Sequence, residues 1–254
     1  MEITDALFGY MCIFLRTTGM FVTAPVLAAR FTPPAVKVGL SLIVSFLLFP
    51  IVSTPPMGES YAQVAVTLLG EISFGLFIGF MAAALLAAVD IAGQIVDVEM
   101  GFGLSNVLDP EQGMSSPLMG IFKYLLITLV FMMLDGHHLI IKALAKSFEI
   151  MPAGHVTLQA LWAELSLKTV SQMLLVGILL SVPVWASMLI TDVALGVVAR
   201  AVPQMNVFVI GLPVKTIVGF LILSASIGFY GVFTEEITVT LRNLLESLLG
   251  VGIS

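Results

Sequence analysis

The sequence predicts an all-α membrane protein built from about six long hydrophobic helices. Three observations carry that prediction. Of the 254 residues, 59% are apolar and only 10% are charged, with a mean hydropathy of +1.12, whereas a water-soluble domain carries about 25% charged residues. Uncharged runs approach the roughly 20 residues needed to cross a hydrocarbon core. Finally, stretches such as Leu42-Ile43-Val44-Ser45-Phe46-Leu47-Leu48-Phe49 and Leu125 through Leu134 are apolar all round, which excludes the alternating strands of a transmembrane barrel.

In chain order, the first run covers about residues 7–29 and holds one cation, Arg16. A shorter run at 38–52 ends near Pro50, and a third at 72–89 lies between Glu71 and Asp90. In the third, Gly75, Gly79, Ala83 and Ala87 fall on a four-residue step. That step lines one helix face, and small side chains there predict close packing against another helix. Gly75, Gly79 and Ala83 are therefore candidate contact positions, and Ser224 and Gly228 repeat the spacing in the last run. The fourth run, about 118–134, holds Lys123. The fifth, 169–191, is uncharged between Lys168 and Asp192, and the sixth, 216–234, is uncharged between Lys215 and Glu235.

Charge and cysteine content exclude several classes. Ten Lys and Arg against sixteen Asp and Glu give a net charge of −6, which does not draw a chain onto nucleic acid. Cys12 is the single cysteine and rules out a disulfide framework. The acidic start at Glu2 and Asp5, with Arg16 interrupting the apolar run, predicts no cleaved signal. Membrane orientation follows the distribution of Lys and Arg between loops, and here six spans put Arg30, Lys37, Arg200 and Lys215 on one side and Lys142, Lys146, Lys168 and Arg242 on the other. The tie implies a misassigned span or a chain that does not sit in the bilayer as a simple serpentine.

Two segments fit no ordinary loop. Residues 201–214 are uncharged, too short to span and punctuated by Pro203 and Pro213, which predicts a re-entrant turn or a buried helix-hairpin tip enclosed by protein or a pore. Residues 90–117 contain Asp90, Asp97, Glu99, Asp109 and Glu111 and no cation. Within them, Gly101, Gly103 and Gly113 and the Asp109-Pro110 turn predict a mobile loop carrying Met100 and Phe102.

No catalytic constellation stands out. Asp97 and Glu99 are two apart, so a helix would point them in different directions and toward solvent or a polar channel wall. His137 and His138 are adjacent and would splay on a helix, with no thiolate cluster or Glu-x-x-His pattern to complete a metal site, so neither metal nor cofactor is expected. Gly101-Phe102-Gly103 lacks the third glycine of a dinucleotide fingerprint. The intramembrane ions Arg16, Glu71 and Lys123 should face protein or water and be paired, because an exposed charge in lipid costs a few kcal/mol. An Arg16–Glu71 pair would clamp the first helix to the third.

Taken together, several segments resemble the FliR family, the flagellar biosynthetic protein of the type III export gate. They are Gly93-Gln94-Ile95-Val96-Asp97 leading into Met100-Gly101-Phe102-Gly103, then Asp109-Pro110 and Gly113, then Asp135-Gly136-His137-His138 with Ser147-Phe148 and Pro152, and above all Pro203-Gln204-Met205-Asn206-Val207-Phe208-Val209-Ile210-Gly211-Leu212-Pro213. Single pieces are weak; their order and spacing are specific. The last segment is more similar to the flagellar branch than to the injectisome branch.

The resemblance implies a non-enzymatic subunit of a helical hetero-oligomeric gate in the bacterial inner membrane, at the centre of the flagellar basal body. Its implied partners are the P-type and Q-type gate proteins, the export switch protein, the larger export-apparatus membrane protein and unfolded flagellar substrates. Residues 1–165 would be the P-type-like part and 166–254 a Q-type-like helical hairpin with its apolar tip at 201–214. Helices lifted out of conventional topology would account for the charge tie. The resemblance also implies a plug loop at 100–117, with Met100, Gly101, Phe102, Gly103, Leu104, Asp109, Pro110 and Gly113 as gate positions. It further implies subunit contacts at Pro203, Phe208, Gly211 and Pro213, beside Gly75, Gly79 and Ala83. Without it, a six-helix secondary transporter with a re-entrant binding hairpin would lead. An intramembrane hydrolase fits poorly for want of its motifs.

Overall fold

A computed structural model describes residues 3–25, 33–58, 60–103, 118–156, 160–204, 206–250 and 252. Among these residues every regular element is a helix: α1 (Ile3–Thr23), α2 (Pro34–Leu48), α3 (Tyr61–Glu99), α4 (Leu118–Met133), α5 (Gly136–Ile150), α6 (Ala160–Ala201), α7 (Val207–Ala225) and α8 (Ile227–Leu249). Three of them, α1, α3 and α6, are long and apolar enough to cross a membrane, and five spans result if the bent pairs α4/α5 and α7/α8 each count as one.

Among the described residues each of the six apolar runs falls largely on helix, but the count and lengths differ from expectation. At 39 and 42 residues, α3 and α6 extend well beyond their uncharged cores. The sixth run straddles α7 and α8, which are separated at Ser226. Charge marks where lipid contact becomes costly, not where helical hydrogen bonding stops, so polar turns carry these helices on. Two helical stretches carry no uncharged run long enough to span because they are amphipathic. α5 buries Leu139, Ile140, Ala143, Leu144, Ser147 and Phe148 on one face. The second half of α8 buries Ile237, Leu241, Leu244, Leu245 and Leu248, at the three- and four-residue steps of a helix packed on one side.

By contact, the chain forms two compact units that interleave along the sequence. The first comprises Met1–Leu85, Met132–Val170 and Thr238–Ser254; the second comprises Leu86–Phe131 and Ser171–Ile237.

In the first unit α1 crosses α3 closely enough that side chains would not fit. A Cβ on Gly75 would fall on the carbonyl of Arg16, and one on Gly79 would fall on Thr23 and the carbonyl of Met20, while Gly19 faces the backbone of Ile72 and Leu76 in return. Thr23 Oγ1 donates across the crossing to the Leu76 carbonyl at 3.2 Å. Small residues thus let backbones approach and a hydroxyl bridge them, as in membrane helix pairs generally. The Gly75 and Gly79 face, expected to serve a neighbouring subunit, is filled from within the chain, whereas Ala83 remains half-buried. Nearby, Trp162 of α6 stacks on Phe74 and Phe77 of α3, with ring centroids 5.2 and 5.4 Å apart.

The second unit packs the end of α3, α4, the middle of α6, α7 and the start of α8. A Cβ on Gly93 would meet the backbone of Gly120, which brings α3 and α4 into contact. Along α6, Val176, Leu180, Val184 and Met188 are buried at four-residue steps. Beyond them, no residue from Leu189 to Ala201 is buried.

Candidate functional site

The expected site residues separate into three places. In the first unit, Arg16 of α1 and Glu71 of α3 form an ion pair whose side chains are both fully buried. Arg16 Nε donates to Glu71 Oε2 at 2.6 Å and Nη2 to Oε1 at 3.1 Å, the two-pronged geometry that suits guanidinium and carboxylate. Arg16 Nη1 also donates to the carbonyls of Ser147 and Met151 and to Ser147 Oγ, at 2.9 to 3.1 Å. The same carboxylate accepts the amide of Gly154 at 2.6 Å. Gly154 holds φ +83°, a backbone state open to glycine at little cost, and that turn aims its N–H at Glu71. Phe148 and Phe74 flank the guanidinium, 4.1 and 5.2 Å from ring centroid to Cζ. One buried cation therefore ties α1, α3, α5 and the turn after α5 together.

The second place is the exit of α3 in the second unit, where the expected plug loop begins. Asp97 is buried, contrary to the expected solvent or channel-wall position, and its Oδ1 accepts the amide of Met119 at 3.0 Å. The bond joins the last turn of α3 to the first turn of α4, where free amides make a helix start receptive to a carboxylate. Met100 is buried with its thioether against Gly219 of α7, where any Cβ would collide with Met100 Cγ, Sδ and Cε. Gly101 turns the chain at φ +87°, its α-carbon facing Leu212. Phe102 meets Phe220 edge to face, with centroids 6.3 Å apart. Gly103 packs loosely near Val98. Three consecutive residues thus sit on one face of α7. Leu104, Asp109, Pro110 and Gly113 lie outside the described residues.

Lys123 is buried beneath this region but is not paired as expected. Its Nζ has no hydrogen-bond partner among the described residues and lies 5.3 Å from the ring centroid of Tyr230, with Asp97 as the carboxylate that acts on it through space. The ring face adds a cation–π contact to the ammonium.

The third place is the α6–α7 hairpin. Its tip is not enclosed by its own chain: Pro203, Gln204, Val209, Ile210 and Pro213 are exposed. Pro213 does not bound the tip but lies inside α7, in its second turn, where one lost amide bond is the main penalty. Phe208 falls in the first turn of α7, and Gly211 is buried against Leu195. Ser224 and Gly228 are exposed and fall on different helices, so that repeat packs nothing here. Sequence reasoning missed one contact. Asp192 and Lys215, the charges that end the fifth and sixth apolar runs, form an ion pair at 2.5 Å. The two runs end at one level because α6 and α7 form a hairpin.

The family profile described as bacterial export proteins, family 1, matches residues 7–240. The chain is 34% identical over 258 residues to flagellar biosynthetic protein FliR of Bacillus subtilis, covering 99% of both chains. It is 28% identical to FliR of Escherichia coli over 240 residues, covering 94% of this chain and 92% of that protein. Yop proteins translocation protein T of Yersinia pestis is 29% identical over 223 residues, covering 85% of each. A profile spanning all but the chain's ends, and a full-length relative at 34% identity, place this protein in the FliR family, the bacterial export proteins of family 1.

Proposed function

We propose that this chain is a non-enzymatic subunit of a type III protein export apparatus, serving flagellar assembly, and that the segment leaving α3 anchors the gate of its channel. The observation that carries the gating part is the seating of Met100, Gly101 and Phe102 on Gly219, Leu212 and Phe220 of α7. Apolar side chains at a constriction exclude water and ions without binding them. The methionine and phenylalanine side chains, seated on α7 by apolar and ring contacts, can exchange those contacts for contacts with an unfolded chain in transit. In this reading Gly103, Leu104, Asp109, Pro110 and Gly113 continue the gate.

The same reading places the protein in the bacterial inner membrane with P-type and Q-type gate proteins, the export switch protein and the larger export-apparatus protein as neighbours. Residues 1–165 correspond to the P-type-like part and 166–254 to the Q-type-like hairpin. The exposed apolar positions of the hairpin, among them Ile190, Val193, Val197, Val202 and Val209, together with Pro203 and Pro213, supply the surface such neighbours would cover, and the resemblance adds Phe208 and Gly211 to these contact positions. A secondary transporter is not favoured, because the matching family is described as bacterial export proteins and the relatives are named for flagellar biosynthesis and protein translocation.

Replacing the chromosomal copy with Phe102→Ala or Met100→Ala tests the gate. Membranes that leak ions, with the assembled complex still recoverable, are expected. Unchanged conductance in both variants, with normal assembly, would contradict it.

A further inference from the structure

The turn between α4 and α5 carries a donor set that neither the ion network nor the loop base uses. Asp135 is the N-cap residue of α5 and, among the described residues, the one non-glycine with positive φ, at 56°. Its carboxylate makes no capping bond to the helix. Instead, Oδ1 lies 3.0 Å from Nδ1 of His138. The rings of His137 and His138 have centroids 4.1 Å apart and are inclined by 38°. One donor atom from each of Asp135, His137 and His138 lies within 4.8 Å of the other two. Adjacent helical positions were expected to splay the two histidines; the left-handed residue at the helix start swings the carboxylate across them, and the rings tilt together.

One of these groups also lacks the partner that burial demands. His137 Nδ1 is buried and has no hydrogen-bond partner among the described residues, a state that costs free energy unless something fills it. Asp135 and His138, by contrast, are open to solvent, with side chains 73% and 61% exposed. An ion can reach both from solvent.

We propose that Asp135, His137 and His138 form a site for a single divalent transition-metal ion of the zinc class. Two imidazoles and one carboxylate are the ligand types that such ions take, whereas magnesium and calcium prefer all-oxygen sets. Zinc holds nitrogen and oxygen donors at about 2.0–2.2 Å, which places them roughly 3.3 Å apart in a tetrahedron. The two solvent-exposed side chains can close that difference by small rotations. A water would take the fourth position. The bound ion would staple the turn, in which the Asp135 amide donates to Met132, to the first turn of α5, in which the His138 amide donates to Asp135.

The test is a Zn2+ titration of the untagged, metal-stripped chain in detergent against a chromophoric chelator. One Zn2+ per chain is expected, weakened more than about tenfold by His138→Gln and by His137→Gln, as for loss of any ligand that dominates a site, and weakened also by Asp135→Asn. His155→Gln, which removes the remaining histidine, should leave binding unchanged. Substituted Co2+ should show the visible absorption of a tetrahedral site in the wild type and lose it in His138→Gln, an exposed position where folding is not at stake. Zinc uptake that ignores His137→Gln and His138→Gln, or that falls equally in His155→Gln, would overturn the assignment.

Discussion

Arg16 and Glu71 meet with Nε 2.6 Å from Oε2 and no exposed atom on either side chain. A buried ion pair is weak grounds for stability when both partners are replaced by apolar residues, but removing one partner strands the other, at about 3–5 kcal/mol. In this chain the stranded group would be a guanidinium at a three-helix junction. Glu71→Ala should therefore sharply lower the thermal unfolding temperature and the recovered yield of the detergent-purified protein. Glu149→Ala, which breaks the exposed pair with Lys146, should cost less than about 1 kcal/mol. Equal losses in the two variants would remove the clamp.

The space around Gly75 at the α1–α3 crossing and around Gly39 of α2 predicts opposite outcomes for the same substitution. Gly75→Ala forces a methyl group onto the Arg16 carbonyl and should cost about 1–3 kcal/mol through overpacking. Gly39 of α2 has open space around it, so Gly39→Ala should be neutral or stabilise by about 0.5–1 kcal/mol through helix propensity. Thermal unfolding of both variants checks the pair.

At the loop base, Gly219 exists to admit Met100. Gly219→Leu should expel the thioether and produce the same ion leak as Met100→Ala. Because both changes break one contact, the double variant should leak no more than either single variant, the non-additivity expected of directly coupled positions. Additive leaks would mean that the two residues act separately.

The Asp192–Lys215 pair joins α6 to α7 with side chains 44% and 21% exposed. Partial exposure limits its worth, and a double-mutant cycle on thermal unfolding should give a coupling below about 1 kcal/mol that shrinks as salt is raised to 1 M. A coupling that salt does not touch would place this end of the hairpin away from water.

How far the sequence could be read depended on which residues set each feature. Apolar runs, interrupted only by Arg16 in α1 and Lys123 in α4, identify α1, α3, α4 and α6 because lipid-facing helices must be apolar on nearly every side. The four-residue step of Gly75 and Gly79 announces close helix packing, although spacing alone does not say whether the partner is in the same chain. α5 carries no apolar run, since Lys142, Lys146 and Glu149 on its opposite face interrupt the sequence, and only the three- and four-residue rhythm of its buried face marks it. Asp97 looked solvent-facing from its neighbours; its burial depends on a helix start twenty-two residues later, which no local pattern reveals. The convergence of Asp135, His137 and His138 likewise turns on one backbone angle.

Membership of a multi-subunit export gate is tested most directly by native mass spectrometry of the tagged chain purified from its host membrane in mild detergent. One copy of this chain bound to several copies of two other hydrophobic proteins is expected. A monomer or a symmetric homo-oligomer, reproduced across detergents, would contradict it.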